Sequence, residues 1–396
     1  MDIYYQSKKF KRLLQRYEEL RDNNISEFLD SEDLTDVAEY YYSIGQDEKA
    51  LETANYTNHL YPTATAPLAF KARMALLTYN NPTLANEIAE TIVDKSDLDY
   101  LYLKAEIMLA DNQVCKADQY LQEQYDNVID EDDHEEFAID AAALFADYEE
   151  IDYAEKWLNQ STMINEDEYK EIKVRILKGQ GKYEASETLI NELIDGNPYS
   201  CAYWNQLTQI QFLRNDVQGA ITSSEYALAI NPNDEEALLN KANGLFSLDN
   251  FVESLKYYQQ YRQTCHHVDF SIIDVTIGHL YLILGHPKEA LDFYFQSITE
   301  SENKDQALIN VAISIFDNGY FELTYRILIN YLPNAAKDWT EGFAYLARCC
   351  YELKKTEEYK QFLQIAIERN PRECQDVLSD LYPPGTDIKD YPSINI

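Results

Sequence analysis

The chain has 396 residues. A single hydrophobic core stops growing near ~250–300 residues, so either several domains or a repeat array is expected. Against 33 basic residues stand 70 acidic ones, a formal net charge of -37; a field of that sign repels phosphate, which excludes nucleic acid and anionic membrane as partners for most of the surface. With Gly 11, Pro 11 and 45% hydrophobic residues, the composition excludes collagen-like, linker-like and disordered chains and argues against an all-β fold.

No apolar run approaches the ~18–20 residues of a membrane span. The N-terminus shows no apolar stretch followed by a small-residue cleavage site, so no secretory leader is expected. Six Cys at irregular spacing make no disulfide framework. A reducing, cytoplasmic setting is the expectation.

In chain order, residues 7 to 20 read first as an amphipathic helix, with Phe10, Leu13, Leu14 and Tyr17 on one face. Its other face carries Lys8, Lys9, Lys11, Arg12 and Arg16, the chain's only basic cluster, which suits the polar outer side of a cap. From Asp30 onward a unit of 31–37 residues recurs. Its first helix carries a small residue at position 8: Ala38, Ala72, Ala105, Ala142, Ala242, Gly278, Ala312 and Ala347, with Lys173 and Thr208 departing. Its second helix carries another at position 20: Ala50, Ala85, Ala117, Ala154, Ala185, Ala220, Ser254, Ala290 and Thr324, with Tyr359 departing. Pro82 and Pro287 suit the first turn of a second helix, and Pro62, Pro198, Pro232 and Pro371 close units.

Trp204-Asn205-Gln206-Leu207 with Ala220, Ala227 and Pro232, and Ile277-Gly278-His279-Leu280-Tyr281 with Gly285, Ala290 and Tyr294, resemble the tetratricopeptide repeat (TPR), a helix–turn–helix of about 34 residues. Read on that pattern the chain is all-α. Residues 1–29 form an N-terminal capping helix. Residues 30–371 form ten TPR-like repeats in one right-handed superhelical array, and 372–396 form a C-terminal cap and loose tail. The second, fourth and ninth units lack the closing Pro.

Residues able to carry chemistry are few. Cys265-His266-His267 are contiguous with no second pair, whereas structural zinc takes four ligands in spaced pairs, so a surface turn is expected there. Cys349-Cys350 reads as a small apolar pair inside a helix. No phosphate loop, G-x-S-x-G or H-E-x-x-H occurs. No enzymatic activity, metal or cofactor is expected.

Binding is therefore the remaining function. The resemblance implies that positions 2, 5, 9, 12 and 13 of the first helices line a concave groove. In units one to five that stripe is mixed, with Glu39, Tyr42, Arg73, Leu76, Tyr102 and Glu106. In units six to nine it turns apolar, flanked by amides. The expected peptide contacts are Asn205, Gln209, Phe212, Asn240, Asn243, Phe246, His279, Asn310 and Phe316. Apolar side chains with a few polar groups suit an extended peptide, and amides can pair with its main chain. The Lys–Asn carboxylate clamp that chaperone-binding TPR proteins share is absent: Lys170 is followed by Val174, and Asn243 is preceded by Leu239. Residues 94–155 hold 20 acidic and 3 basic residues, which allows a basic partner. The expectation is a protein-interaction scaffold or adaptor. The alternative is an architectural subunit that uses its outer surface, for which many outward tyrosines among the 33 would be suited.

Overall fold

The structure, a computed structural model, describes residue 5 and residues 7–23, 29–127, 133–265, 269–336 and 338–394. Among the described residues it is all-α, with no strand. The chain divides into two compact units after Arg214.

The first unit opens with α1 (Lys8–Asn23), whose Phe10, Leu13 and Tyr17 are buried. Five hairpins follow: α2 (Ser31–Ser43) with α3 (Asp47–Leu60), α4 (Thr65–Leu77) with α5 (Pro82–Ala89), α6 (Leu98–Ala110) with α7 (Val114–Asn127), α8 (His134–Asp147) with α9 (Ile151–Leu158), and α10 (Asp167–Gly179) with α11 (Tyr183–Gly196). Helix α12 (Cys201–Leu213) packs on α11 and ends this unit. The second unit begins with α13 (Val217–Ile230) against α14 (Glu235–Ser247). Helix α15 (Phe251–Thr264) pairs with α14, α16 (Ser271–Ile283) with α17 (Pro287–Glu300), α18 (Lys304–Asp317) with α19 (Phe321–Tyr331), and α20 (Phe343–Glu352) with α21 (Thr356–Arg369). Helix α22 (Pro371–Leu378) packs on α20 and α21 as the cap. The division thus falls between the two helices of the sixth predicted repeat.

The small-residue pattern has a direct structural cause. Apart from Ala185, the alanines at positions 8 and 20 are fully buried where the two helices of a hairpin meet, for example Ala38 with Ala50 and Ala105 with Ala117. At Gly278 a Cβ would lie 2.5 Å from the Tyr294 ring of α17, so only glycine admits that close approach. Where position 20 is a hydroxyl residue it donates to the carbonyl of position 8, twelve residues earlier: Ser254 Oγ to Ala242 O at 2.9 Å, and Thr324 Oγ1 to Ala312 O at 3.4 Å. Ser186 Oγ makes the same bond to Val174 O at 3.0 Å. The fifth repeat is therefore shifted by one residue from the predicted register. Ser186 is fully buried while Ala185, the predicted residue, is exposed.

A second regularity lies in the turns. After each first helix one residue takes positive φ: Gly45, Asn80, Asn112, Glu149, Gly181, Asn215, Asp249, Gly285, Gly319 and Lys354. This left-handed residue ends a helix so that the next N–H reaches back across the last turn, as Gln46 N to Tyr41 O, His286 N to Tyr281 O and Lys355 N to Cys350 O do, all at 2.8 Å. Pro82 and Pro287 start α5 and α17, where their missing N–H costs nothing.

The C-terminal tail differs from expectation. It is not loose: a 3-10 segment (Ile388–Ser393) returns to α21, and Tyr391, 2% exposed, stacks on Tyr382 with ring centroids 3.7 Å apart. The tyrosines also differ from expectation. Among those described, only Tyr79, Tyr199, Tyr226, Tyr320 and Tyr351 are exposed; the others pack wholly or half into the protein.

Candidate peptide-binding site

The predicted contacts fall in both units. On α12 in the first unit, Asn205 is 4% exposed, Phe212 is half-buried, and the Gln209 Oε1 accepts a 2.8 Å hydrogen bond from Lys178 Nζ. The other six lie in the second unit. There Phe246, His279 and Asn310, from α14, α16 and α18, line one cleft of about 250 Å³ together with Val275, Thr276, Ile313, Ser314 and Asp317. Phe316 borders a neighbouring cleft of about 390 Å³, formed with Asp317, Phe321, Tyr345, Arg348, Asp376, Val377 and Asp380. The two clefts meet at Asp317.

The phenylalanines are neither free rings nor sealed core. Phe246 is half-buried against the cluster of Ala242, Tyr258, Ile277 and Leu280, and it packs edge-on to Phe251. Its remaining edge lines the cleft, 6.0 Å from the His279 ring. Phe316 is likewise held edge-on by Phe321 and Tyr345 at 5.2 and 5.1 Å. Apolar packing thus fixes each ring and leaves a face toward the cleft.

The amides are more committed than expected. Asn243 Oδ1 accepts from the Tyr258 hydroxyl at 2.5 Å, and Asn310 Oδ1 accepts from Gln306 Nε2 at 3.2 Å. The Asn240 Nδ2 is buried without a hydrogen-bond partner among the described residues, so it is out of reach of a ligand on the open face. Of the predicted ladder, Asn310 remains at the first cleft, with its Nδ2 as the donor.

His279 is oriented by its neighbours. The Asn318 Nδ2 donates to Ser314 O at 2.9 Å and lies 2.9 Å from His279 Nδ1, so Nδ1 is an acceptor. The neutral ring then carries its proton on Nε2. Ser314 Oγ, 3.1 Å from the same Nδ1 and 2.7 Å from the Tyr294 hydroxyl, completes the support. No partner of Nε2 occurs among the described residues, which leaves a fixed donor beside an apolar floor.

Three carboxylates were missed. Asp317 occupies position 13 of the ninth unit, on the predicted stripe, and was legible there. Asp376 sits on α22 and Asp380 in the 3-10 turn (Ser379–Leu381) that follows it, outside the repeat pattern, and no periodicity could have placed them. Burial pushes the Asp317 carboxyl above its ordinary range. Arg348 is spent on Asp380 and on Glu352 Oε1, at 2.9 Å, so it does not neutralise the other two acids.

All six cysteines are free thiols. Burial pushes Cys265, Cys349 and Cys350 up to about 12 and Cys374 up to about 11. A protonated, buried thiol is inert. His266 and His267 lie outside the described residues, and among the described residues no group of three His, Cys, Asp or Glu is placed to hold a metal ion. Among them also, no helix is long and apolar enough to cross a membrane.

No family model matches the chain, and no curated protein matches its sequence. Solved structures similar to it include a tetratricopeptide repeat protein from Parabacteroides merdae, at 12% identity over 66% of this chain and 98% of that one, with a TM-score of 0.41. PilF of Pseudomonas aeruginosa matches at 13% identity over 54% and 98%, with a TM-score of 0.40. YrrB, described as a TPR protein with an unusual peptide-binding site, matches at 13% identity over 49% and 98%, with a TM-score of 0.35. By its own geometry, with small residues at positions 8 and 20 and a left-handed turn between them, the chain is a protein of tetratricopeptide-type helical hairpins.

Proposed function

We propose that this chain is a non-catalytic protein-interaction scaffold that holds an extended segment of a partner protein on the first-helix face of its second unit. One observation carries the reading: Phe246, Val275 and Ile313, from three successive first helices, line an open cleft beside the His279 and Asn310 donors. Ligand sites combine apolar walls with a few placed polar groups, and an extended main chain offers carbonyls to such donors. Affinity capture with the full chain tests it. Thr276→Arg fills the cleft from its rim and is expected to lose the partner without lowering the melting temperature. Retention of the same partner by a folded Thr276→Arg variant rejects the site.

A second reading has its own support. On the second helices of the same unit, Val252 (63% exposed), Leu291 (56%) and Phe295 (70%) present apolar side chains to solvent. An architectural subunit would bury such residues against a neighbour. Loss of the partner in Leu291→Asp/Phe295→Asp, with Thr276→Arg unaffected, would select this reading.

A further inference from the structure

The second cleft has a chemistry of its own. Its rim carries Asp317, Asp376 and Asp380 against the single cation Arg348, which donates to Asp380, Glu352 and the Val377 carbonyl. Neither Asp317 nor Asp376 has an ion-pair partner among the described residues. Aromatic walls from Phe316, Phe321 and Tyr345 stand beside these acids. A long cationic side chain satisfies both parts, because its methylenes lie along rings while its head reaches carboxylates. The first cleft, about 250 Å³ with Phe246, Val275 and Ile313 as its apolar walls, falls below the ~300–1,000 Å³ of sites for small-molecule ligands and suits one apolar side chain with its main chain. Asp317 belongs to both clefts, so two side chains close together on one segment can occupy them.

We propose that the second unit selects its partner by a two-part signature: an aliphatic or aromatic side chain in the cleft walled by Phe246, Val275 and Ile313, with a lysine or arginine close to it along the segment in the cleft edged by Asp317 and Asp376. This rests on the reading that the face binds an extended segment, and adds the chemistry of that segment. The charge is local to the site: within the second unit Asp317 and Asp376 come from two elements, the end of α18 and the cap helix α22, that converge on one opening.

The test uses the full chain and a positional-scanning library of N-acetylated, C-amidated octapeptides on beads. Wild type is expected to enrich peptides that carry Leu, Ile, Met or Phe within three residues of Arg or Lys, by about tenfold over either residue type alone. In Asp317→Asn/Asp376→Asn the basic preference is expected to vanish while the apolar preference persists. Glu123→Gln/Asp126→Asn, which removes the same charge from the exposed face of α7, is expected to change neither. Thr276→Arg should remove the apolar preference, with circular dichroism verifying the fold of every variant. Apolar enrichment without a basic preference, or a basic preference that survives Asp317→Asn/Asp376→Asn or falls equally in the α7 control, overturns the signature and leaves the peptide site standing. No enrichment by wild type, or enrichment untouched by Thr276→Arg, overturns both.

Discussion

On the first helices of the first unit, carboxylates find their answers within the unit. Arg73 Nε pairs with Glu106 at 3.1 Å, Arg175 with Asp147 at 2.6 Å, and the Tyr102 hydroxyl donates to Asp140 at 2.9 Å. On the first helices of the second unit the same stripe offers half-buried rings, one oriented histidine and one acid, Asp317, without an ion-pair partner among the described residues. The hairpin is common to both, so the difference lies in what the stripe residues do with their polar groups. A face whose charges pair internally has already satisfied them and offers a partner little. Half-exposed ion pairs of this kind contribute only ~0–1 kcal/mol each, yet they occupy the surface. Burial raises the Glu39, Glu106 and Asp140 carboxyls above their ordinary range, so this face is partly desolvated before any ligand arrives.

The largest test of the comparison asks whether the two units are also energetically separate. Trp157 is fully buried, packs on Tyr125 and Phe137, and donates from Nε1 to Asp118 at 3.0 Å. Trp157→Ala should cost about 3–5 kcal/mol. Hydrogen exchange should lose protection in α6–α9 and keep it in α18–α21; equal loss in both would make the division after Arg214 purely geometric.

Phe246→Ala separates packing from binding in the second unit. Because the ring is only half-buried, the expected cost is about 2 kcal/mol, roughly half that of a sealed phenylalanine. Peptide retention should fall with it. A thermal melt showing the full cost of a core residue would return Phe246 to the interior and weaken the contrast between the faces.

The turns offer a smaller, symmetrical measurement. Glu149 in the first unit and Lys354 in the second hold φ of 60° and 59°, a region that costs a residue with a Cβ roughly 1–2 kcal/mol. Glu149→Gly and Lys354→Gly should each stabilise their own unit by about 1 kcal/mol, less the extra chain entropy glycine loses on folding. Denaturant midpoints that fall instead would show that these side chains earn their strained turns.

The smallest effect concerns the ion-paired face. Arg73→Met should cost roughly 0.5–1 kcal/mol at neutral pH. Burial holds the Glu106 carboxyl up and Arg73 pulls it down, so the variant raises it further. The folded state then keeps a proton that the unfolded chain releases, and stability is gained as pH falls between the folded and ordinary carboxylate values. The gap in melting temperature between Arg73→Met and wild type should narrow on acidification. A gap independent of pH would mean that Glu106 does not depend on Arg73.

Much of the fold was legible because its determinants are local. Alanine every twelve residues within a hairpin, proline at a second-helix start and an amphipathic first helix act over one or two turns. The fifth repeat slipped by one residue because Ala185 fits the small-residue pattern by type, whereas in space Ser186 takes the buried place and donates to Val174 O. The turn after each first helix was legible only in part, since Asn, Asp, Glu149 and Lys354 stand where four others are glycine. The site was half legible. Phe246, His279, Asn310 and Phe316 border adjoining clefts, but the amides of Asn243 and Gln209 are engaged by Tyr258 and Lys178, residues fifteen and thirty-one positions away.

The sequence by itself determined that this chain folds into helical hairpins, because period, small-residue spacing and helix stops depend on neighbours along the chain. Only the tertiary structure decided which edge of each ring stays open, which polar groups are already paired, and that Asp376 on the cap helix α22 and Asp380 just after it converge with Asp317 of α18. Those outcomes depend on helices meeting across a repeat interface, where a displacement of one turn would exchange a buried atom for an exposed one, and no periodicity in the chain encodes that choice.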